Sequence, residues 1–137
     1  MSRVIFASHG GLSKGMKDSV SMIVGDLAKD IETYSLLPGQ NPEDFYQEVL
    51  KEAKESEEQI VILCDIKGGS VYTALSKLAV LDNVMVFSGM NMGLVLDAVM
   101  KGLNGKLELA EANDLIEAAK DGMTVMNGMT SEDDEDF

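Results

Sequence analysis

The only histidine of the chain, His9, stands where the apolar run Val4 to Ala7 gives way to Ser8-His9-Gly10-Gly11. An imidazole nitrogen is a competent nucleophile near neutral pH. Taken alone, such a residue reads equally well as a loop histidine that packs or caps. Its position argues for chemistry: two glycines after a strand end leave the ring unshielded. The N–H groups of the next helix's first turn then favour an anion attached to it. Gly10 becomes a candidate phosphate-binding position next to a candidate nucleophile.

Asp65 ends a second apolar run, in Leu63-Cys64-Asp65-Ile66-Lys67-Gly68-Gly69-Ser70. If the strands carrying His9 and Asp65 are neighbours, their ends lie about 5 Å apart and both side chains can enter one crevice. A carboxylate there can accept Nδ1–H of His9 and leave Nε2 free to attack. The competing reading has Asp65 opening an Asx turn or pairing with Lys67. Gly68 and Gly69 before a helix expose N–H donors to a phosphoryl oxygen, and Ser70 adds a hydroxyl. Ser70 also reads as that helix's N-cap. Ser88 to Gly93 lines the same rim; its methionines suit either protein docking or core filling.

These residues need a frame that brings strand ends together. Short, fully apolar runs (Val4 to Ala7, Ile60 to Cys64, Val84 to Phe87) suit parallel strands covered on both faces. The alternating run Glu32 to Leu37 suits an edge. Helical spacing marks Leu12, Met16, Val20, Ile23, Val24 and Leu27 as one stripe. Phe45, Val49, Leu50 and Ala53 mark another, behind the turn Pro38 to Pro42. Val71 to Val80, Leu94 to Met100 and Ala110 to Lys120, the last ended by Gly122, complete the helices. The order predicts a doubly wound α/β fold, a mainly parallel four-stranded sheet with helices on both faces. In such sheets ligands gather at the carboxyl ends of the strands, near the point where strand order reverses.

Composition excludes other classes. A chain of 137 residues holds one domain, and its net charge of −13 opposes binding to nucleic acid or anionic lipid. Five acids lie in Thr130 to Phe137, so residues 1–129 read as the domain, carrying −8, and 130–137 as an acidic disordered tail. One cysteine and one histidine cannot supply the three or four ligands of a usual zinc site, so no metal is expected. No signal peptide or membrane-length apolar run is present, which reads as a cytoplasmic chain.

The motifs together resemble the IIA domain of the mannose-type (mannose–fructose–sorbose) phosphoenolpyruvate-dependent sugar phosphotransferase system. The resemblance covers nearly all of residues 3 to 126. It rests on Ser8-His9-Gly10, Leu37-Pro38-Gly39-Gln40-Asn41, Asp65 with Gly68-Gly69-Ser70, and Gly89-Met90-Asn91, each at a strand end. It implies a cofactor-free phosphotransferase, a histidine phosphocarrier. His9 would be phosphorylated on Nε2 by the carrier protein HPr and would pass the group to a IIB component, which phosphorylates sugar entering through the membrane IIC and IID subunits. Asp65 would orient His9, while Ser70 and nearby amides of Gly10, Gly68 and Gly69 would hold the phosphate. The resemblance also implies a homodimer made by exchanging a short C-terminal antiparallel strand, here Met123 to Met126. Val71 and Gly93 depart from it, standing where the family usually has proline.

Three alternatives share parts of the pattern. A receiver-like signalling domain would be phosphorylated on Asp65, but it needs acidic Mg²⁺ ligands after the first strand, where this chain has Ser8 and His9. A hydrolase would use Ser8 or Ser70 with His9 and Asp65, yet no G-x-S-x-G elbow is present. A flavin or nucleotide module would need longer glycine loops and more aromatic residues than the chain has.

Overall fold

The computed structural model describes residues 2–128. Four strands, β1 (Arg3–His9), β2 (Glu32–Leu36), β3 (Ile60–Cys64) and β4 (Val84–Phe87), alternate with α1 (Leu12–Val24), α2 (Pro42–Lys54), α3 (Ser70–Leu75) and α4 (Met92–Asn104), and α5 (Leu109–Asp121) follows. All strand pairs are parallel, in the order β2-β1-β3-β4. The order reverses direction between β1 and β3, the switch point at which such sheets hold their ligands.

The apolar strands divide their side chains between two covered faces. Val4, Phe6, Val61 and Leu63 point to one face with Met16, Val20, Leu94, Val95, Val99 and Leu115. Ile5, Ala7, Ile60, Ile62 and Cys64 point to the other with Val49, Ala53, Val71, Leu75 and Leu78. β2 lies at an edge, as its sequence suggests, and all five of its residues are half-buried. Burying a side chain such as Phe6 on this scale is worth several kcal/mol; truncation of a buried Phe to Ala costs about 3–5 kcal/mol.

The turns are set by local chemistry. Asn41 caps α2, its Oδ1 accepting the N–H of Glu43 at 3.0 Å, with Pro42 in the first helical position where a missing N–H costs nothing. Asn91 does the same for α4, accepting the N–H of Leu94 at 3.0 Å. α1 has Gly11 at its N-cap and therefore no capping side chain of its own.

Two expectations about the helices are corrected. The buried stripe of α1 is Ser13, Met16 and Val20, whereas Leu12, Ile23 and Leu27 are at least half exposed. The buried face keeps Met16 and Val20 but turns toward Ser13 and away from Leu12, because a serine takes a core-facing position. The helix expected over Val71 to Val80 stops at Leu75 and continues as a 3₁₀ turn, Ser76–Val80. Met123 to Met126 forms no strand in the single chain: these residues leave α5 as exposed, irregular backbone. An exchanged strand takes its partner from a second copy, so one chain offers it no pairing. The expected acidic tail, 130–137, lies outside the described residues.

Candidate functional site

The register of the sheet brings the predicted residues together. Ala7 pairs with Cys64, so the residues that follow, Ser8-His9 and Asp65, leave the sheet side by side. The N–H of Asp65 still donates to Ala7 O at 3.1 Å, which holds the β3 exit against β1. Asp65 then turns its carboxylate to His9. One oxygen, Oδ2, accepts both the backbone N–H of His9 at 2.8 Å and ring Nδ1 at 2.7 Å. The other, Oδ1, accepts the N–H of Ile66 at 2.9 Å.

The carboxyl group is nearly covered, its side chain 8% exposed, while the His9 side chain is 46% exposed. Burial alone would raise the Asp65 pKa. The His9 backbone N–H, the His9 ring and the Ile66 N–H together outweigh it and hold the carboxyl below its ordinary value. An ionised Asp65 is acceptor-only, so Nδ1 carries the ring proton and Nε2 keeps its lone pair. Nε2 faces Ser70 Oγ at 3.1 Å. Asp65, His9 and Ser70 thus form a line of three groups with the imidazole in the middle.

Two readings of Asp65 and Ser70 are decided by this geometry. Asp65 makes neither an ion pair with Lys67 among the described residues nor a turn that spends it locally; two of its three bonds go to His9. Ser70 is not the N-cap of α3. Gly69 takes that place in an extended conformation, and the Ser70 hydroxyl is turned to the ring.

The glycines differ from expectation as well. The N–H of Gly10 donates to Leu36 O at 2.8 Å and that of Gly69 to Ile66 O at 3.2 Å, so neither amide is free to hold a phosphate. Among the described residues, the N–H groups of Gly68 and Ser70 have no such backbone partner. Gly10 and Gly68 instead supply turns, at φ +55° and +85°, in the left-handed region glycine adopts without strain. Gly69 supplies clearance. A Cβ built there would lie 3.0 Å from His9 Cε1 and 2.9 Å from Ile66 Cγ2.

Sequence reasoning missed Ser13 and weighed Ser8 only as a poor nucleophile. Both are fully buried and hydrogen-bonded behind His9. The signal for Ser13 was a serine on the core side of an amphipathic helix. Met90 and Met92 pack against the core beside β4, which favours the filling role for them. Three other apolar side chains remain at least half exposed just after β1, β2 and β3: Leu12, at the start of α1, Leu37 and Ile66. None of the described helices is long and apolar enough to cross a membrane.

The fold and site define a parallel α/β protein that holds an imidazole between a carboxylate and a hydroxyl at the switch point of its sheet. Comparison narrows the class: the model of the family described as "PTS system fructose IIA component" (EIIA-man) matches residues 3–120, and the chain belongs to this mannose/sorbose-type IIA family. It is 32% identical over 101 residues to the sorbose-specific EIIA component of the phosphotransferase system of Klebsiella pneumoniae, covering 72% of this chain and 73% of that one. The IIA protein associated with the fucose utilization operon of Streptococcus pneumoniae superposes with a TM-score of 0.72 at 25% identity, over 91% of this chain and 96% of that one. The mannose/sorbose-specific IIA subunit of Enterococcus faecalis shares the fold at a TM-score of 0.74 and 20% identity, over 94% and 97%.

Proposed function

We propose that this IIA component works as a cytoplasmic phosphocarrier, taking a phosphoryl group on His9 Nε2 from phosphorylated HPr and passing it to a IIB component that drives sugar uptake and phosphorylation. The observation that carries the reading is the two-sided tether of His9, with Nδ1 on Asp65 and Nε2 turned to Ser70. In the first transfer, the Nε2 lone pair attacks phosphorus while the P–N bond to the donor's imidazole breaks. The His9 ring then carries both the phosphoryl group and the Nδ1 proton, and the positive charge that develops is opposed by the carboxylate at 2.7 Å.

Ser70 must release Nε2 as the bond forms. Its contact of 3.1 Å is long for a hydroxyl hydrogen bond, so the hydroxyl can turn to a phosphoryl oxygen at small cost. The amides of Gly68 and Ser70 are two donors of the β3–α3 loop with no backbone partner among the described residues. This is a modest set, which suits a group held briefly and handed on. Leu12, Leu37 and Ile66 supply exposed apolar area just after β1, β2 and β3 for a protein partner. The family resemblance also supports a homodimer in which Met123 to Met126 pairs with a second copy.

The test is reconstitution with phosphoenolpyruvate, Enzyme I and HPr. One phosphoryl group per chain should appear, labile in acid, stable in alkali and absent from His9→Ala. No label on the wild-type chain beside a labelled IIA control overturns the reading.

One observation favours a second reading. The line Asp65, His9, Ser70 has the spacing of a hydrolase triad, with Ser70 as nucleophile. Turnover of an activated ester that disappears in Ser70→Ala, with no phosphohistidine formed, would support it. On the carrier reading Ser70→Ala is still labelled on His9, more slowly.

A further inference from the structure

Behind His9 lies a chain of three serines, two of them fully buried, that the sheet edge and α1 share. Ser8, on β1 next to His9, is fully buried, as is Ser13. Ser8 Oγ accepts the N–H of Ser13 at 2.8 Å and donates to Gly10 O at 3.2 Å. Ser13 Oγ donates to Tyr34 O at 2.9 Å, and at 3.1 Å from Ser35 Oγ it accepts that residue's proton. Each hydroxyl has one proton to give, and this assignment leaves none without an acceptor. Gly10 is therefore gripped at both ends, its N–H by Leu36 O and its carbonyl by Ser8. The Ser13 N–H, which the glycine N-cap cannot satisfy, is satisfied by Ser8.

We propose that Ser8 is a positioning residue for His9, with Ser13 anchoring it to β2. The connection is the backbone. One oxygen of Asp65 receives both the His9 N–H and ring Nδ1, so the ring can keep its bond only while the His9 backbone holds its path. That path is fixed on one side by β1 pairing and on the other by Gly10. With the Ser8 hydroxyl gone, the Ser13 N–H is left without a partner in a buried place and the half-buried Gly10 carbonyl loses its donor, and the loop shifts to find others. The ring then leaves Asp65, and the proton divides between Nδ1 and Nε2.

The inference rests on the phosphocarrier reading only for its effect on transfer. The tautomer of His9 in the unphosphorylated protein tests the positioning separately. Nitrogen-15 NMR of Ser8→Ala should show the Nδ1–H tautomer falling from dominance, with phosphoryl transfer slowed about ten-fold or more, and Ser8→Thr should recover both. Val20→Ala, a core truncation about 10 Å beyond Ser13 along α1, controls for lost stability and should leave the tautomer unchanged. If Ser8→Ala does not fold, Ser13→Ala carries the same test, since it cuts the anchor on β2 while retaining its own backbone N–H. A wild-type tautomer in the folded serine variant overturns the proposal, as does an equal loss in Val20→Ala. A tautomer that responds as expected in a chain that never accepts phosphate sinks the carrier reading and leaves the positioning intact.

Discussion

Asp65 Oδ2 accepts the backbone N–H and the ring Nδ1 of the same residue, His9, at 2.8 and 2.7 Å. A single acceptor atom thereby fixes the main chain and the side chain of the nucleophile together. The second oxygen is occupied by the Ile66 N–H, so the carboxylate cannot rotate without losing a bond. Orientation and tautomer are consequently set by one group, and removing its charge should affect both.

Asp65→Asn offers only one carbonyl oxygen for these three donors. If that oxygen faces His9, the amide NH₂ meets the Ile66 N–H, donor against donor. If it faces Ile66, the NH₂ meets the His9 ring and forces Nδ1 to accept, which puts the proton on Nε2 and removes the lone pair needed for attack. Either arrangement leaves the sheet intact. Phosphoryl transfer measured in a single turnover should fall by about 10² to 10⁴, the range seen when an orienting aspartate is replaced beside a catalytic histidine. A folded Asn variant with wild-type rate would rule out this role.

The same carboxyl group gives a pH dependence of defined sign. Its folded pKa lies below the ordinary value of 3.8, because the His9 and Ile66 hydrogen bonds outweigh burial. A group depressed on folding contributes stability that is complete above its unfolded pKa and is lost as the pH falls through its folded pKa. The stability difference between wild type and Asp65→Asn should thus shrink as the pH falls below about 3.8. Urea midpoints of both proteins above and below that pH measure it, and a difference that grows in acid contradicts the assignment.

Gly69 is needed for space and not for conformation. At φ −71° and ψ 161° its backbone suits any residue, so alanine there is unstrained and even restricts the unfolded chain. The added Cβ would nevertheless press on His9 Cε1 at 3.0 Å and Ile66 Cγ2 at 2.9 Å. Ile66 is exposed and can swing away. The imidazole is tied to Asp65 and Ser70 and can yield only by losing one of them. Gly69→Ala should keep thermal stability within about 1 kcal/mol while slowing transfer by about ten-fold or more. Loss of stability with unchanged transfer per folded molecule would show that the clearance serves packing alone.

Much of this arrangement is legible in the sequence because parallel strands announce themselves. Ile60 to Cys64 is apolar at every position, which only a strand covered on both faces explains, and a lone histidine and an aspartate at two such strand ends imply one crevice. The glycines were harder to read. Sequence marks Gly10, Gly68 and Gly69 alike as sources of N–H donors, yet two of those amides are spent on Leu36 O and Ile66 O. Which amide is free depends on the loop path, and no local pattern encodes it. The orientation of α1 was obscured for a related reason: Ser13 is buried because its polar atoms are satisfied by Ser8, Tyr34 and Ser35, which only folding brings within reach of it. Apolarity alone drew the stripe through Leu12 instead.

Cys64 gives an independent view of how firmly the site is closed from below. It is the last residue of β3, fully buried, with its thiol pushed up to about 12, first by burial and then by the adjacent charge of Asp65. The reactive form is the thiolate, so at pH 8 only about one molecule in 10⁴ would carry it in the folded state. Alkylation by iodoacetamide should then proceed only through opening of the sheet, and its rate should track global stability across urea concentrations. Asp65→Asn removes the lesser cause and leaves burial, so the folded variant should remain unreactive on the same timescale. Native-state labelling within seconds, independent of urea, would mean that β3 opens locally beneath Asp65. The carboxylate would then lack the rigid support that its hold on His9 requires.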